Sequence, residues 1–371
     1  MKVKSSLFIN HHTKNSRINT RIVLDIVDSG IYFNGLQVKK LEKSLKQFLK
    51  TPFITTLASG HDALSLSLSC LNLKEDDEII FPVNSYPTAF PVCLSKGKPV
   101  PIDVDENGQM SLEALKKALN NKTKAVVLVH LYGNTTNIGG IKKLLEGKKI
   151  TLIEDCAQSF GTTYKGLPTG TIGDIGCFSF YPTKNLATLG DGGAICTKNE
   201  AFSKYFLMAK SYGESQRFNS AFLSGHSRIP ELQAGVLNFY FKKIKPKFNK
   251  RAELAQYYRK RIKEENLEEF IHPLSSDPES NPVPHLFVIR AKKRDSLKKF
   301  LHKNGVETGI HYPYPIHLLK AFAFLGYKLG DFPNAERQAA QILSLPINPF
   351  LKKETIDKII KLIAKFYSAN I

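Results

Sequence analysis

Lys184 and Asp155 are the residues whose types and spacing suggest chemistry. Asp155 closes the apolar run ITLIED (Ile150–Asp155), which reads as a buried strand. Open α/β sheets bind ligands beyond the carboxyl ends of their strands, and a buried carboxylate is costly unless it is paired or ligated. Lys184 follows 29 residues further on in SFYPTKN, between a predicted strand and the glycine-rich GDGG (Gly190–Gly193). A lysine in an enclosed site loses its proton readily and can form a Schiff base with a carbonyl. Pyridoxal phosphate needs such a lysine, a carboxylate facing its pyridine nitrogen, and donors for its phosphate. Taken singly, each residue has a commoner reading. An Asp at a strand end usually caps a helix or turn, and a Lys before a glycine loop is usually solvated.

The elements that must position these residues alternate through the first two thirds of the chain. DEIIF (Asp77–Phe81), AVVLVH (Ala125–His130), ITLIED and GAICT (Gly193–Thr197) read as buried strands. SLEALKKALN (Ser111–Asn120) reads as a helix with Ser111 as N-cap, and IGGIKKLLEG (Ile138–Gly147) as a helix ending at a glycine. This alternation predicts an α/β sheet that is mostly parallel. After about Tyr240 a long basic helix precedes the Pro/Ser-rich segment Pro273–Pro284, the strand HLFVIRA (His285–Ala291) and further helices. The expected organisation is a large α/β domain (1–240) and a smaller α+β domain (241–371), joined by that helix. Ser59–Leu71 gives conflicting signals. Its Leu/Ser alternation has the period of a half-buried strand, while Ser-Gly-His-Asp could open a helix with free amides. Periodicity alone favours the strand.

Composition excludes several classes. The 371 residues allow two or three domains, and 42% hydrophobic with 23% charged residues is ordinary globular usage, not collagen-like or disordered. No run of 18 or more apolar residues appears, so no membrane span is expected. The basic start MKVKSSLFINHHTKNSR has no apolar core and does not read as a signal peptide. Five scattered cysteines without a C-x-x-C pair argue against a disulfide framework or zinc ribbon and fit a reducing cytosol. The expectation is a soluble cytoplasmic protein with no metal site. The formal charge of +20 could serve an anionic partner. The densest basic stretch, Phe241–Lys263, reads as a solvated amphipathic helix without any nucleic-acid-binding signature, so no nucleic-acid partner is expected.

The string EDCAQSFGTTYKG…GDIGCFSFYPTKNL…GDGGAI resembles the core of the DegT/StrS-type aminotransferases, PLP-dependent transferases of fold type I. The resemblance continues through SGHDAL, DEIIFPVNSYPTA, VLVHLYGN, SRIPELQAGVL, IHYPYPIHL and LSLPINP, covering nearly the whole chain. It implies that Lys184 carries pyridoxal 5′-phosphate, Asp155 bonds the pyridine nitrogen, Gln158 contacts the ring and Tyr86 stacks on its face. Ser179 with the amides around Gly60 and His61 would hold the phosphate, which makes Ser59–Leu71 a helix. Tyr181, His311 and Tyr312 would line a sugar pocket. The implied activity is amino transfer from L-glutamate to a nucleotide-linked keto-sugar, leaning towards C3. The implied assembly is a homodimer in which each subunit completes the other's site. Two positions depart from the family pattern: His61 replaces a threonine of the phosphate loop, and His226 replaces the asparagine that reaches the neighbouring phosphate. Asn134 stands where a ring-contact glutamine is familiar. Sugar 3-dehydratases of this fold replace the lysine with histidine, so Lys184 disfavours that reading. An aminotransferase for a cyclitol or another keto acceptor, and a non-catalytic or regulatory cofactor-binding relative, are the remaining alternatives.

Overall fold

The computed structural model describes residues 16–369. Most of the basic start that carries the no-leader expectation lies outside them. The described chain opens with α1 (Ser16–Ser29) and α2 (Leu36–Leu49). Val38, Leu41, Leu45 and Leu49 recur at helical spacing and are buried on one face of α2. The buried Glu231 carboxylate accepts from the amides of Gly35, Gln37 and Val38 at 2.8–3.0 Å and so caps this helix from a distant part of the chain.

A seven-stranded sheet forms the centre. It contains β1 (Phe53–Leu57), β2 (Glu78–Pro82), β3 (Lys98–Ile102), β4 (Thr123–Val129), β5 (Thr151–Asp155), β6 (Ile175–Ser179) and β7 (Gly193–Thr197). Their spatial order is β1-β7-β6-β5-β4-β2-β3. Six strands run in one direction, and β7 alone opposes them, antiparallel to both β6 and β1. The expected mostly parallel α/β sheet is therefore present. Strand alternation sends Ile79, Phe81, Val127 and Ile153 to one apolar layer and Ile80, Val126, Leu128 and Leu152 to the opposite one. The helices α3 (Gly60–Ser69), α4 (Tyr86–Leu94), α5 (Leu112–Ala118), α6 (Ile138–Leu145), α7 (Glu200–Ala209) and α8 (Glu231–Phe241) cover the sheet. Ser111 caps α5 by accepting from the Ala114 amide, as expected.

The strand expected from periodicity at Ser59–Leu71 is instead α3. The helix packs against β6 and β7 on one side and α4 on another, so Ala63, Leu64, Leu66, Ser67 and Leu68 are all buried. With several sides covered, alternation no longer reports which face meets the core. The Ser67 and Ser69 hydroxyls donate back to the carbonyls of Leu64 and Leu66, which makes serine tolerable inside such a helix.

The basic stretch after α8 continues as α9 (Ile244–Glu264), amphipathic as expected, burying Ile244, Phe248, Arg251, Leu254, Tyr258 and Ile262. It leads into an antiparallel sheet of β8 (Ile271–Pro273), β9 (Phe287–Ala291) and β10 (Ile342–Leu345), in that spatial order. Three helices, α10 (Arg294–Lys303), α11 (Pro333–Gln341) and α12 (Lys353–Ser368), accompany it. Leu254, Tyr258, Ile289, Leu343 and Ile359 share an apolar cluster of their own. Val288, Ile316, Phe322 and Ile342 instead join the cluster of the central sheet, which fixes one layer against the other. Among the described residues no helix is long and apolar enough to cross a membrane.

Candidate active site

Asp155 ends β5 beside Val129 of β4 and Cys177 of β6, at the carboxyl edge of the parallel strands. Strand alternation separates it from its neighbour: Glu154 points into the opposite layer, while Asp155 lines a cavity of about 430 Å³. The Asp155 carboxylate is held at both oxygens. Oδ2 accepts from Thr88 Oγ1 at 2.7 Å, and Oδ1 accepts from the Ala157 amide at 3.0 Å. Ser85 Oγ lies 2.6 Å from Thr88 Oγ1, so the first turn of α4 orients the acid.

Lys184 lies in the loop after β6 and opens into the same cavity. A backbone turn closes behind it, Lys184 N donating to the Tyr181 carbonyl at 2.8 Å. Among the described residues no carboxylate lies within ion-pair distance of its Nζ. Burial lowers its pKa from the ordinary 10.5 to about 8, against a smaller opposing pull from Asp155. The two residues singled out by sequence thus share one cavity.

The amino end of α3 enters at one side. Ser59 caps it, its hydroxyl accepting from the Asp62 amide at 3.0 Å, and the Ala63 amide is taken by the Ser59 carbonyl. The amides of Gly60 and His61 carry no hydrogen bond among the described residues. Such a helix start is suited to an anion. The close approach explains two glycines. A Cβ on Gly60 would stand 2.7 Å from Ser179 Cβ, and one on Gly193 would stand 2.3 Å from the Ser59 carbonyl oxygen. Ser59, Gly60, His61 and Ser179 all line the cavity.

The opposite wall is a hydrogen-bonded chain. Gln158 Oε1 accepts from the Tyr132 amide at 2.8 Å, and its Nε2 donates to the Tyr312 hydroxyl at 3.3 Å. The Tyr132 hydroxyl donates to the His311 carbonyl at 2.6 Å, and His311 Nδ1 lies 2.9 Å from Ser344 Oγ. Burial and the neighbouring Lys184 hold His311 below the ordinary imidazole pKa. His285 is buried in the same wall and is held well below it, by burial first and then by Lys184 and Arg251.

Of the residues expected in the site, Lys184, Asp155, Gly60, His61, Gln158, Ser179, Tyr181, His311 and Tyr312 line the cavity. Tyr86 stands at the rim, 40% exposed, with its ring centroid 5.7 Å from that of Tyr312. His226 is not brought to the cavity of its own chain. It is exposed, accepts from Arg228 Nε at 2.8 Å and packs on Tyr212. Asn134 faces away, into a smaller cavity of about 180 Å³ beside Arg259. The sequence reading did not find Ser85, Thr88, His285, Asp191 or Ser344. The S-x-x-T spacing of Ser85 and Thr88 around Tyr86 was the available signal, because it puts two hydroxyls on one side of a helix start.

His130, Glu154 and Cys156 cluster on the far face of the sheet. The Glu154 oxygens are already taken by His130 Nε2 at 2.9 Å and by the amides of Gly170, Ile172 and Gly173 at 2.7–2.9 Å. Burial raises the Glu154 pKa, but these hydrogen bonds outweigh burial and keep it below the usual range. The cluster anchors the 170–173 loop behind β5.

Comparison with known proteins gives consistent likenesses. The model of the DegT/DnrJ/EryC1/StrS aminotransferase family matches residues 14–364. The chain is 34% identical to the erythromycin biosynthesis sensory transduction protein EryC1 of Saccharopolyspora erythraea, over 90% of this chain and 91% of that protein. It is 33% identical to the dTDP-3-amino-3,4,6-trideoxy-α-D-glucose transaminase of Streptomyces venezuelae, over 88% of this chain and 86% of the relative. It is also 33% identical to the UDP-N-acetyl-3-dehydro-α-D-glucosamine 3-aminotransferase of Acidithiobacillus ferrooxidans, over 92% and 91%. Among solved structures, S. venezuelae DesV superposes with a TM-score of 0.94 at 30% identity, covering 98% of both chains. NtdA of Bacillus subtilis with bound cofactor PMP gives 0.86 at 25% identity, covering 98% of this chain and 86% of that one.

Proposed function

We propose, from the premise that this chain is a member of the DegT/DnrJ/EryC1/StrS aminotransferase family, that it moves the amino group of L-glutamate to a nucleotide-linked keto-sugar. The acceptor carbon is C3, a reading supported by relatives named for 3-amino and 3-dehydro sugars. The single observation that carries the proposal is the joining of Lys184, Asp155 and the open start of α3 in one cavity.

The donor set fits pyridoxal 5′-phosphate. A buried, doubly held carboxylate suits a protonated pyridine nitrogen, an easily deprotonated amine suits a carbonyl, and the cradle left by Gly60 suits a phosphate. When bound, the cofactor supplies a carbonyl for the amine and a conjugated ring that takes up the electrons released as the substrate proton leaves. In this reading Lys184 Nζ would hold the cofactor and, when freed, would serve as the proton carrier of the site. Asp155 keeps the ring nitrogen protonated, with Thr88 fixing its orientation. The Gly60 and His61 amides and Ser179 would hold the cofactor's phosphate, and Gln158 and Tyr86 would contact its ring. Tyr181, His311 and Tyr312 bind the sugar. His226, exposed on its own chain, serves the phosphate of a second copy in a homodimer. The five free cysteines support a reducing cytoplasm as the working compartment.

The test is an absorption spectrum of the protein with pyridoxal 5′-phosphate, before and after L-glutamate, beside Lys184→Ala. The expected result is a glutamate-dependent spectral change with release of 2-oxoglutarate, abolished in the variant. A panel of dTDP- and UDP-linked 3-keto and 4-keto sugars, with a keto-cyclitol, then identifies the acceptor. A protein that binds the cofactor but releases no 2-oxoglutarate would be a non-transaminating relative.

A further inference from the structure

Arg251 is a buried cation that the reaction as derived does not use. It lies on the inner face of α9 at 1% exposure, and among the described residues no carboxylate pairs with it. Burial lowers its pKa to about 9. Burying a charge is costly, so the hydrogen bonds it makes must offset that cost. Its Nη1 donates to the carbonyls of Pro284 at 3.0 Å and His285 at 3.3 Å, and its Nη2 is enclosed without a partner.

The segment that it grips, Val283–Leu286, forms one wall of the cavity, with His285 and Leu286 among the lining residues. Three contacts of that segment lead towards the site, while its Val283 amide donates to Thr162 Oγ1 at 2.9 Å behind it. The Val283 carbonyl accepts from Asn185 Nδ2 at 3.1 Å, and Asn185 follows Lys184 directly. The His285 and Leu286 amides donate to the Tyr132 carbonyl at 2.8 and 3.2 Å, while the Tyr132 amide donates to Gln158. Gly133 permits the close approach of the segment, since a Cβ there would stand 2.3 Å from the Val283 oxygen. On His285 itself, Nδ1 is enclosed without a partner, and the residue lines the cavity that Lys184 shares.

We propose that Arg251 is a positioning residue of the active site: it holds the Val283–Leu286 wall against Lys184, so that His285 closes that side of the lysine to water. This rests on the aminotransferase reading. A lysine here would hold the two successive carbonyls less well, because a single ammonium on a flexible stem is less able to fix them than a planar guanidinium. The titratable groups around Lys184 are Asp155 at the end of β5, Tyr181 in the loop before Lys184, His61 on α3, Asp191 in the loop beyond Lys184, and His285, His311 and Tyr312 from the second half of the chain. Of these, only His285 is bonded to Arg251.

The test is a visible-absorbance pH titration of the cofactor-loaded full chain without substrate, with thermal melting alongside. Opening the wall admits water, which favours the protonated lysine–cofactor chromophore. The expected result is therefore a midpoint raised by about one pH unit in Arg251→Met and in His285→Asn, with Arg251→Lys in between. A midpoint unmoved in Arg251→Met, with only the melting temperature lowered, overturns the proposal and leaves Arg251 a purely structural residue. Should Arg251→Met fail to fold, an unmoved midpoint in His285→Asn overturns it equally. A wild type that gives no lysine–cofactor absorbance defeats the aminotransferase reading itself, a different failure from an unmoved midpoint.

Discussion

A lysine whose pKa is lowered to about 8 divides the pH scale for this protein. Below that value the amine is mostly protonated and cannot attack a carbonyl. The second-order rate of cofactor capture by the cofactor-free protein should therefore rise with pH up to about 8 and then level off, measured by stopped-flow absorbance. Linkage gives a matching sign for stability. Between about pH 8 and the ordinary lysine value of 10.5 the unfolded chain binds the proton and the folded chain does not. The Lys184 contribution to unfolding free energy should thus increase across that window, and Lys184→Met should flatten it in urea titrations at fixed pH values. Thr88 makes the companion case. Thr88→Val removes the donor to Asp155 Oδ2 and leaves that oxygen short of a partner, a loss of about 1–3 kcal/mol. Cofactor binding, read by fluorescence titration, should weaken by about tenfold or more. Lys184 and Asp155 were legible because the string around them resembles the family core; taken singly, each has a commoner reading. Thr88 and His285 were not, since a threonine in a helix and a histidine before a strand are unremarkable until the fold brings them to the cavity.

Among elements, α3 connects local structure to ligand binding most directly. Two substitutions one residue apart should separate its roles. Ser59→Ala removes the cap on the Asp62 amide, a cost of about 1 kcal/mol, and should lower the melting temperature by a few degrees. Gly60→Ala drives a methyl against Ser179 and fills the cradle beneath the free amides. It should weaken pyridoxal phosphate binding more than it lowers the melting temperature, and weaken pyridoxal, which lacks the phosphate, much less. Equal losses for both ligands would mean that the α3 start does not hold the phosphate. The same helix marks the limit of sequence patterning. Strands β2, β4, β5 and β7 of the central sheet and the helices at Ser111 and Ile138 each have one dominant buried stripe or a continuous apolar run, so pattern found them, whereas β1 and β3, with FITTL and KPVPI, have neither and were not read. α3 is covered on more than one side, and its alternation of Leu and Ser then says nothing about helix or strand. Only the family resemblance, through the need for a phosphate at a helix start, indicated the helix.

At the scale of the whole molecule, we propose that the chain divides into residues 1–240 and 241–371. The separate apolar cluster around Ile289 and Ile359 supports the division, although Val288 and Phe322 pack into the cluster of the central sheet. The site draws on both parts, with Lys184 and Asp155 from the first and His285, His311 and Tyr312 from the second. One expected member is absent from this set, because His226 faces outward on its own chain. A pattern in sequence can mark such a residue but cannot say whose cavity it serves, since that depends on a second copy. Complementation answers the question. Lys184→Ala abolishes one component, and His226→Glu puts a negative charge where the phosphate of the other copy would lie. If His226 crosses the interface, a heterodimer of the two variants contains one site with both residues intact and one with both replaced. Mixing equal amounts under exchanging conditions should then restore about a quarter of wild-type sites, read as 2-oxoglutarate released from glutamate. If each His226 served its own chain, no site in the mixture would regain both residues and activity would stay at the level of the separate variants. The amount recovered thus reports both the dimer and the direction in which its histidine reaches.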